Sequence, residues 1–252
     1  MTNLILLGGV FLLFYIIETL LPQMNDGAFK RKHDLSNLGL GVINLLLSRY
    51  LALIITLSLI EKLQIRGVLY YLELNSRTTL ILGVIALDCI NYWWHRLLHR
   101  VPLLMRFHTV HHTDTLLDVS SALRFHFIEV LAGHLFRIPF ILILGLPLES
   151  IILYDIIFNI NVYFHHSNIR INRTLDITLS KFIVTPYIHR IHHSTKWREA
   201  NSNFSSFLLL WDRLFKSFTP QGERSTPRYG IPGYTEEKYQ SLLYMIHQPF
   251  TR

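Results

Sequence analysis

Two copies of the pattern His-x-x-His-His are the residues of this chain best suited to chemistry. One copy begins at His108 and the other at His189, and a histidine pair four residues apart precedes the first copy. Residues three and four apart share one face of a helix, so each group points its imidazoles in a single direction. Imidazole suits iron, copper and zinc, and eight such ligands are too many for one ion. The spacing therefore predicts a two-metal centre with these ligands: His95, His99, His108, His111, His112, His189, His192 and His193.

A second group of histidines surrounds a long apolar stretch. Asn161 and His165 are four residues apart, a spacing compatible with ligation, and we expect His165 to be a ninth ligand. Asn161 and His166 are candidates for orienting a ligand through a hydrogen bond. His126 is compatible with three roles: a ligand, a donor to a ligand, or a histidine at the membrane interface.

Three further polar residues have weaker indications. Asp88 lies on the helix face that leads to His95, and a carboxylate there can hold a ligand imidazole or form an ion pair with an arginine. His33 and His247 have no neighbouring motif, and we expect both to face solvent.

The composition is that of an all-α integral membrane protein. Half of the 252 residues are hydrophobic and only 16% are charged, whereas soluble domains have about 25% charged residues. Three segments are long enough to cross a hydrocarbon core of about 30 Å: Asn3–Leu21, Leu38–Ile60 and Thr78–Trp94. A fourth, Phe127–Phe164, is interrupted by Gly145-Leu-Pro147, which predicts a helical hairpin with both ends on one side. These segments, with a cytoplasmic helical cap carrying the histidines, form one expected domain over residues 1–252.

Basic residues predict how this domain lies in the membrane. Lys30, Arg31 and Lys32 lie between the first two segments, on the side assigned to the histidines. We therefore expect the histidines to face the cytoplasm and the N-terminus to lie on the opposite side. The formal charge of +7 fits contact with anionic lipid, and no basic stripe accompanies a nucleic-acid recognition motif. A single cysteine, Cys89, excludes an internal disulfide and a metal site built from several cysteines.

The ligand set also indicates the type of chemistry. A structural zinc site closes with four ligands, usually several of them cysteines, whereas eight or more histidines suit two metals with open positions. An iron pair held by neutral imidazoles is strongly cationic and can activate dioxygen, and the protein would contribute ligand geometry and a dry pocket. A lipid chain entering between the spans would present an unactivated C–H bond to the oxidant.

Several stretches together resemble the fatty acid hydroxylase/sterol desaturase superfamily. The resemblance extends over residues 30–220, with residues 221–252 as a cytoplasmic tail. The stretches that carry it are Asp88–Thr115, Ala122–His126, Phe164–Asn168, His189–Ser194, Asn203-Phe204 and Trp211–Phe215.

This resemblance implies a membrane-bound, non-haem di-iron oxygenase that uses O2 to hydroxylate lipids. The eight motif histidines match the family's metal ligands, and electrons come from an external reductase, a separate redox partner. Three departures concern substrate fit: Phe127 in place of Pro, Ser205 in place of Gly, and Lys216-Ser217 in place of Gly-Thr. A desaturase would use the same ligands, and a metal transporter or sensor is the alternative from another class. A transporter would have ionisable residues along a path near the midplane rather than histidines clustered at one face.

Overall fold

The computed structural model describes residues 2–24, 29–63, 66–220 and 228–251. Every regular element within these ranges is helical, as the composition predicted. Three isolated β-bridges join loop residues. The α-helices are α1 (Thr2–Leu20), α2 (Lys30–Ile43), α3 (Tyr50–Leu63), α4 (Val68–Tyr71), α5 (Ser76–Arg100), α6 (Pro102–His112), α7 (Phe127–Leu144), α8 (Leu148–His166), α9 (Arg173–Leu179), α10 (Pro186–His192), α11 (Trp197–Ala200), α12 (Leu210–Leu214) and α13 (Leu242–His247).

Two helices have the length and hydropathy needed to cross a membrane. A π-helical turn, Asn44–Arg49, joins α2 and α3 into a continuous helix of 34 residues, and α7 is the second such helix. Helix α1 is apolar over Leu4–Leu20. Each segment predicted to span the membrane lies on one of these helices or on α5 and α8.

The predicted hairpin is formed by α7 and α8, which contain 18 and 19 residues. Gly145 ends α7 with φ +67°, in the left-handed region that glycine adopts at little cost. Its backbone packs so tightly against Gly67 that a Cβ on Gly145 would lie 2.9 Å from the Gly67 Cα. Pro147 then precedes α8, where its fixed φ suits a helix N-terminus. The turn of the hairpin and the loop after α3 therefore meet at one end of the bundle.

The opposite end of the bundle brings together the segments that carry the histidines. Glu18, near the end of α1, accepts hydrogen bonds from the backbone N–H groups of Val119 and Asn168, each at 2.9 Å. Val119 begins a 3-10 helix just before α7, and Asn168 follows α8. Because α5 and α8 end here and α7 begins here, the histidines at their ends lie close together.

Short helices and loops from the C-terminal part pack over this end. Helix α10 packs against α8, and α13 packs against α2. Val184, Ile188 and Leu209 form an apolar cluster beneath α10. This packing fixes the second His-x-x-His-His segment against the helices that carry the first.

The prediction that His33 faces solvent is wrong. The side chain of His33 is 2% exposed, and its Nε2 lies 2.7 Å from Oδ1 of Asp114. Near it, Nζ of Lys30 lies 2.6 Å from Oδ2 of Asp118. These acidic partners are about 80 residues away in sequence, so spacing around His33 could not indicate them. His247 is exposed as predicted.

Candidate metal centre

Nine buried histidines form two adjoining clusters at this end of the bundle. In each cluster one ring nitrogen from every member lies within 4.8 Å of the others. The rings of His112 and His193, one from each cluster, stack with centroids 4.7 Å apart. The five-histidine cluster comprises His95, His99, His108, His112 and His192, and the four-histidine cluster comprises His111, His166, His189 and His193.

The helices present these histidines as the sequence spacing predicted. His95 and His99 are one turn apart on the last part of α5, and α6 carries all three members of the first motif. Helix α10 carries His189 and His192, and His193 directly follows its last residue. All eight motif histidines belong to one of the two clusters.

Hydrogen bonds at Nδ1 fix the orientation of several rings in the five-histidine cluster. His95 Nδ1 lies 2.8 Å from the carbonyl oxygen of Phe204, and His192 Nδ1 lies 2.7 Å from that of Ser202. A carbonyl oxygen can only accept, so Nδ1 carries the proton in both rings. The lone pair of each imidazole is therefore on Nε2, which points into the cluster.

In the four-histidine cluster, Nδ1 atoms also bond to backbone carbonyls. His111 Nδ1 donates to the carbonyl oxygen of Arg124 at 3.2 Å, and His166 Nδ1 donates to that of Val162 at 2.9 Å. Their Nε2 atoms lie 3.2 Å apart. Since neither Nε2 carries a proton, this contact brings two lone pairs face to face.

Facing lone pairs of this kind suit a bound cation. In the five-histidine cluster, the Nε2 atoms of His95 and His108 also lie 3.2 Å apart. Imidazole nitrogens bind transition metals at about 2.0–2.1 Å, so two nitrogens on adjacent coordination positions lie about 3 Å apart. The buried Nε2 of His192 has no hydrogen-bond partner within the described chain. Both clusters therefore fit a transition-metal ion by donor type and by spacing.

Burial keeps these imidazoles in the form that binds metals. Loss of solvation lowers the pKa of His95 and of His166 to about 4. Burial, followed by the proximity of other histidines, lowers the pKa of His99 and His189 well below its usual value. Neutral imidazoles at neutral pH keep a lone pair available for coordination.

His108 has a different kind of hydrogen-bond acceptor at its Nδ1, a side-chain carboxylate. Its Nδ1 lies 2.8 Å from Oε1 of Glu129, in the first turn of α7. A carboxylate that holds a ligand imidazole fixes its tautomer and raises its basicity. Asp88 was a candidate for that role from sequence, and Glu129, three residues after His126, was overlooked.

Asp88 accepts hydrogen bonds from groups outside the clusters. Its Oδ2 accepts from Trp211 Nε1 at 2.7 Å and from the Leu208 backbone at 3.0 Å. These contacts anchor the loop before α12 and the start of α12 to the middle of α5. Asp88 therefore holds this loop in place, and among the described residues it forms neither the arginine pair nor the imidazole contact considered from sequence.

Asp212 completes the arrangement of the same loop. Its carboxylate accepts from the backbone N–H of Phe204 at 2.8 Å, from that of Ser205 at 2.9 Å and from the Ser217 hydroxyl at 2.7 Å. These bonds fix the Phe204 carbonyl, which in turn orients His95. The Asn203-Phe204 and Trp211–Phe215 stretches thus contribute to the centre without providing ligands.

The departures from the family pattern lie in this loop and at the start of α7. Lys216 has φ +56°, in the left-handed region that favours glycine, the residue expected there from the resemblance. The Ser205 hydroxyl accepts from the Asp212 backbone N–H at 3.2 Å. Phe127 is the first residue of α7. None of the three contacts a ligand nitrogen through a described hydrogen bond.

The remaining candidates lie beside the clusters. His165 is outside the four-histidine group, and its ring packs on His189 with centroids 4.0 Å apart. Asn161 Nδ2 lies 3.2 Å from His165 Nδ1 and donates to the Ser206 carbonyl at 2.6 Å. His126 accepts from the backbone N–H of Ile128 at the start of α7. The geometry thus places His166, rather than His165, among the converging nitrogens.

Comparisons with known proteins identify related sequences. The family model described as fatty acid hydroxylase matches residues 80–217. The chain is 33% identical over 174 residues to the ornithine lipid hydroxylase OlsE of Rhizobium tropici, covering 68% of this chain and 50% of that protein. It is 29% identical over 159 residues to the alkylglycerol monooxygenase of Danio rerio, covering 62% of this chain and 34% of that protein.

A lathosterol oxidase of Rattus norvegicus is 26% identical over 182 residues, covering 67% of this chain and 56% of that protein. The chain thus spans between a third and somewhat more than half of the length of these relatives. No solved structure matches. Because the family model covers more than half of the 252 residues, including all nine clustered histidines, the chain belongs to the fatty acid hydroxylase family.

Proposed function

We propose that this protein is a membrane-bound di-iron oxygenase that hydroxylates an unactivated C–H bond of a lipid. The observation that carries the proposal is the pair of adjoining histidine clusters, each with unprotonated Nε2 atoms facing one another at 3.2 Å. The relatives named as an ornithine lipid hydroxylase and an alkylglycerol monooxygenase support a lipid substrate. The iron pair would bind and reduce dioxygen with electrons from an external donor.

The ligand set of this proposal differs from the sequence prediction at one position. Eight ligands are the motif histidines, and His166 takes the ninth position that the spacing assigned to His165. His166 is supported by its Nε2, which lies 3.0 Å from Nε2 of His189 and 3.2 Å from that of His111. His165 and Asn161 then form a support beside His189.

The chain's own residues orient the ligands and exclude water. Nδ1–H bonds to backbone carbonyls hold four of the ligand rings in one tautomer, those of His95, His111, His166 and His192. Every ligand histidine is at most 8% exposed. The ring of Phe125 stacks on His111 at 4.1 Å, and Phe204 packs against His99 at 5.1 Å. Preformed, dry ligand positions of this kind limit side reactions of a reactive oxidant with solvent.

The proposed topology places the histidine end at the cytoplasmic face. The C-terminal ends of α1, α5 and α8 and the N-terminal ends of α2 and α7 meet there, so the N-terminus of α1 lies across the membrane. Lys30 and Arg31 at the start of α2 and Arg100 at the end of α5 give this end a basic character. A soluble or membrane-bound reductase would reach the centre from this side. The chain forms a single membrane domain in this proposal.

The decisive experiment combines metal analysis with lipid analysis. Protein purified in detergent after growth in 57Fe is expected to contain two irons per chain, with the Mössbauer signature of an antiferromagnetically coupled pair. Lipids from expressing cells grown under 18O2 are expected to gain one labelled oxygen. A His111→Ala variant, expressed and inserted to the same level, is the control.

Each outcome has a defined meaning. A lipid that loses two hydrogens without gaining labelled oxygen would identify a desaturase with the same ligands. One zinc per chain, or metal-free protein after iron-replete growth, would contradict the oxygenase and favour a transport, sensing or structural role.

A further inference from the structure

The hydrogen bonds that the ligand histidines make through Nδ1 are of two kinds. Four ligands (His95, His111, His166 and His192) donate from Nδ1 to uncharged backbone carbonyls. His108 donates instead to the carboxylate of Glu129, at 2.8 Å. Of the ligand histidines with a described Nδ1 contact, only this member of the five-histidine cluster has an anionic acceptor. The two clusters therefore differ in charge as well as in number of ligands.

Glu129 is an unusual residue from the viewpoint of stability. Its side chain is 4% exposed, its Oε1 contacts the neutral imidazole of His108, and Oε2 has no hydrogen-bond partner within the described chain. A buried carboxylate with no compensating cation is strongly unfavourable, and an apolar or amide side chain would pack there at less cost. The N-terminus of α7 supplies only a partial positive charge.

A pair of metal ions beyond His108 would supply the missing positive charge. The imidazole lies between the carboxylate and the cluster, with Nδ1 towards Glu129 and Nε2 towards His95 and His112. With an anionic acceptor at Nδ1, the imidazole donates electron density to a metal more strongly than it does with an uncharged carbonyl acceptor. This effect stabilises the more oxidised state of the metal that the ligand binds.

We propose that Glu129 is a positioning residue that makes the two metal sites unequal. Through His108 it gives the five-histidine site a higher metal affinity and a lower reduction potential than the same site would have with an uncharged acceptor. This inference rests on the proposed di-iron function. It predicts that Glu129 lowers the stability of the metal-free protein and raises the stability of the metal-loaded protein.

Glu129→Gln tests the charge separately from the shape. The amide oxygen of glutamine can still accept from His108 Nδ1–H, so ring orientation is kept while the negative charge is removed. Glu129→Ala removes both. Glu149→Gln is the matched control, since Glu149 is exposed in the first turn of α8, the other arm of the hairpin.

The readouts are iron retention against a graded chelator series, Mössbauer spectra and redox titration of the purified proteins. In Glu129→Gln we expect one of the two irons to bind roughly 10- to 100-fold more weakly. One of the two Mössbauer doublets should change, and the midpoint potential of one iron should become more positive. Glu129→Ala should lose this iron more completely, and Glu149→Gln should match the wild type in every readout.

Thermal unfolding separates this role from a packing role. Metal-free Glu129→Gln should unfold at the same temperature as metal-free wild type or higher, while the iron-loaded variant should unfold at a lower temperature than iron-loaded wild type. Unchanged affinity, spectra and potential in Glu129→Gln would overturn the inference, as would destabilisation confined to the metal-free state. Wild-type protein that binds no iron would instead refute the proposed function, and this inference with it.

Discussion

Asp212 offers a test of whether residues outside the histidine motifs hold the metal ligands in place. In Asp212→Asn one carboxylate oxygen becomes an NH2 group, which cannot accept a hydrogen bond. With the amide oxygen in the Oδ1 position, the bonds from Phe204 and Ser217 remain, and the bond from the Ser205 backbone is lost. The substitution thus changes the hydrogen bonding with almost no change in volume.

The magnitude follows from counting these bonds. A hydrogen bond to a charged group contributes about 1.5–3 kcal/mol, and one between neutral groups about 0.5–1.5 kcal/mol. Losing one charged bond and weakening two others costs about 4 kcal/mol. For a domain of this size 1 kcal/mol corresponds to roughly 2–4 °C, so the Tm should fall by about 8–16 °C.

The assay measures Tm by thermal unfolding in detergent and iron per chain on the same preparation. Because Asp212 fixes the Phe204 carbonyl that orients His95, we expect the five-histidine site to lose iron as well. Glu199→Gln, which removes a partly exposed carboxylate paired with Lys196, is the control and should change neither quantity. An Asp212→Asn variant with wild-type Tm and full iron would refute the view that this loop orients His95.

Four other substitutions test different parts of the structure. His192→Ala removes the unpartnered Nε2 and should reduce iron per chain while membrane insertion, measured by carbonate extraction, is unchanged. His166→Ala should lower iron per chain more than His165→Ala does, and the reverse order would restore the ligand predicted from spacing. Gly145→Ala should lower stability by about 1–3 kcal/mol, because φ is +67° and the added Cβ would lie 2.9 Å from Gly67. The iron content of this last variant should remain that of the wild type, and iron loss there would mean that the far end of the bundle supports the centre.

The sequence was sufficient to predict the features that depend on local spacing. The length and composition of the apolar segments indicated the helices, and Gly145 with Pro147 indicated the hairpin turn. The spacing of the histidines indicated which side chains share a helix face, and all eight motif histidines are clustered in the structure. These features depend on residues within about one turn of each other, which a single sequence shows directly.

The features that were missed depend on contacts between distant segments. His33 was expected to face solvent because its partner, Asp114, belongs to another part of the chain. The choice between His165 and His166 depends on the rotation of α8 against α10, which helical spacing leaves undetermined, because adjacent residues differ by about 100° around the axis. Asp88 was a candidate for holding a ligand imidazole because it shares a face with His95, whereas its carboxylate accepts a hydrogen bond from Trp211 of a later segment.

The division between ligand and support follows from what each kind of segment can offer. Helices fix the spacing of side chains, so α5, α6 and α10 supply histidines in pairs and triplets. Helix interiors use their carbonyls in their own hydrogen bonds, so most acceptors for Nδ1 come from loop segments.

Ser202 and Phe204 hold the rings of His192 and His95, and the Arg124 carbonyl holds His111. Because these bonds force lone pairs together inside the clusters, a bound cation would relieve repulsion that the fold itself creates. Metal binding and the ordering of the loop around Phe204 would therefore be coupled, since each favours the same orientation of the ligand rings.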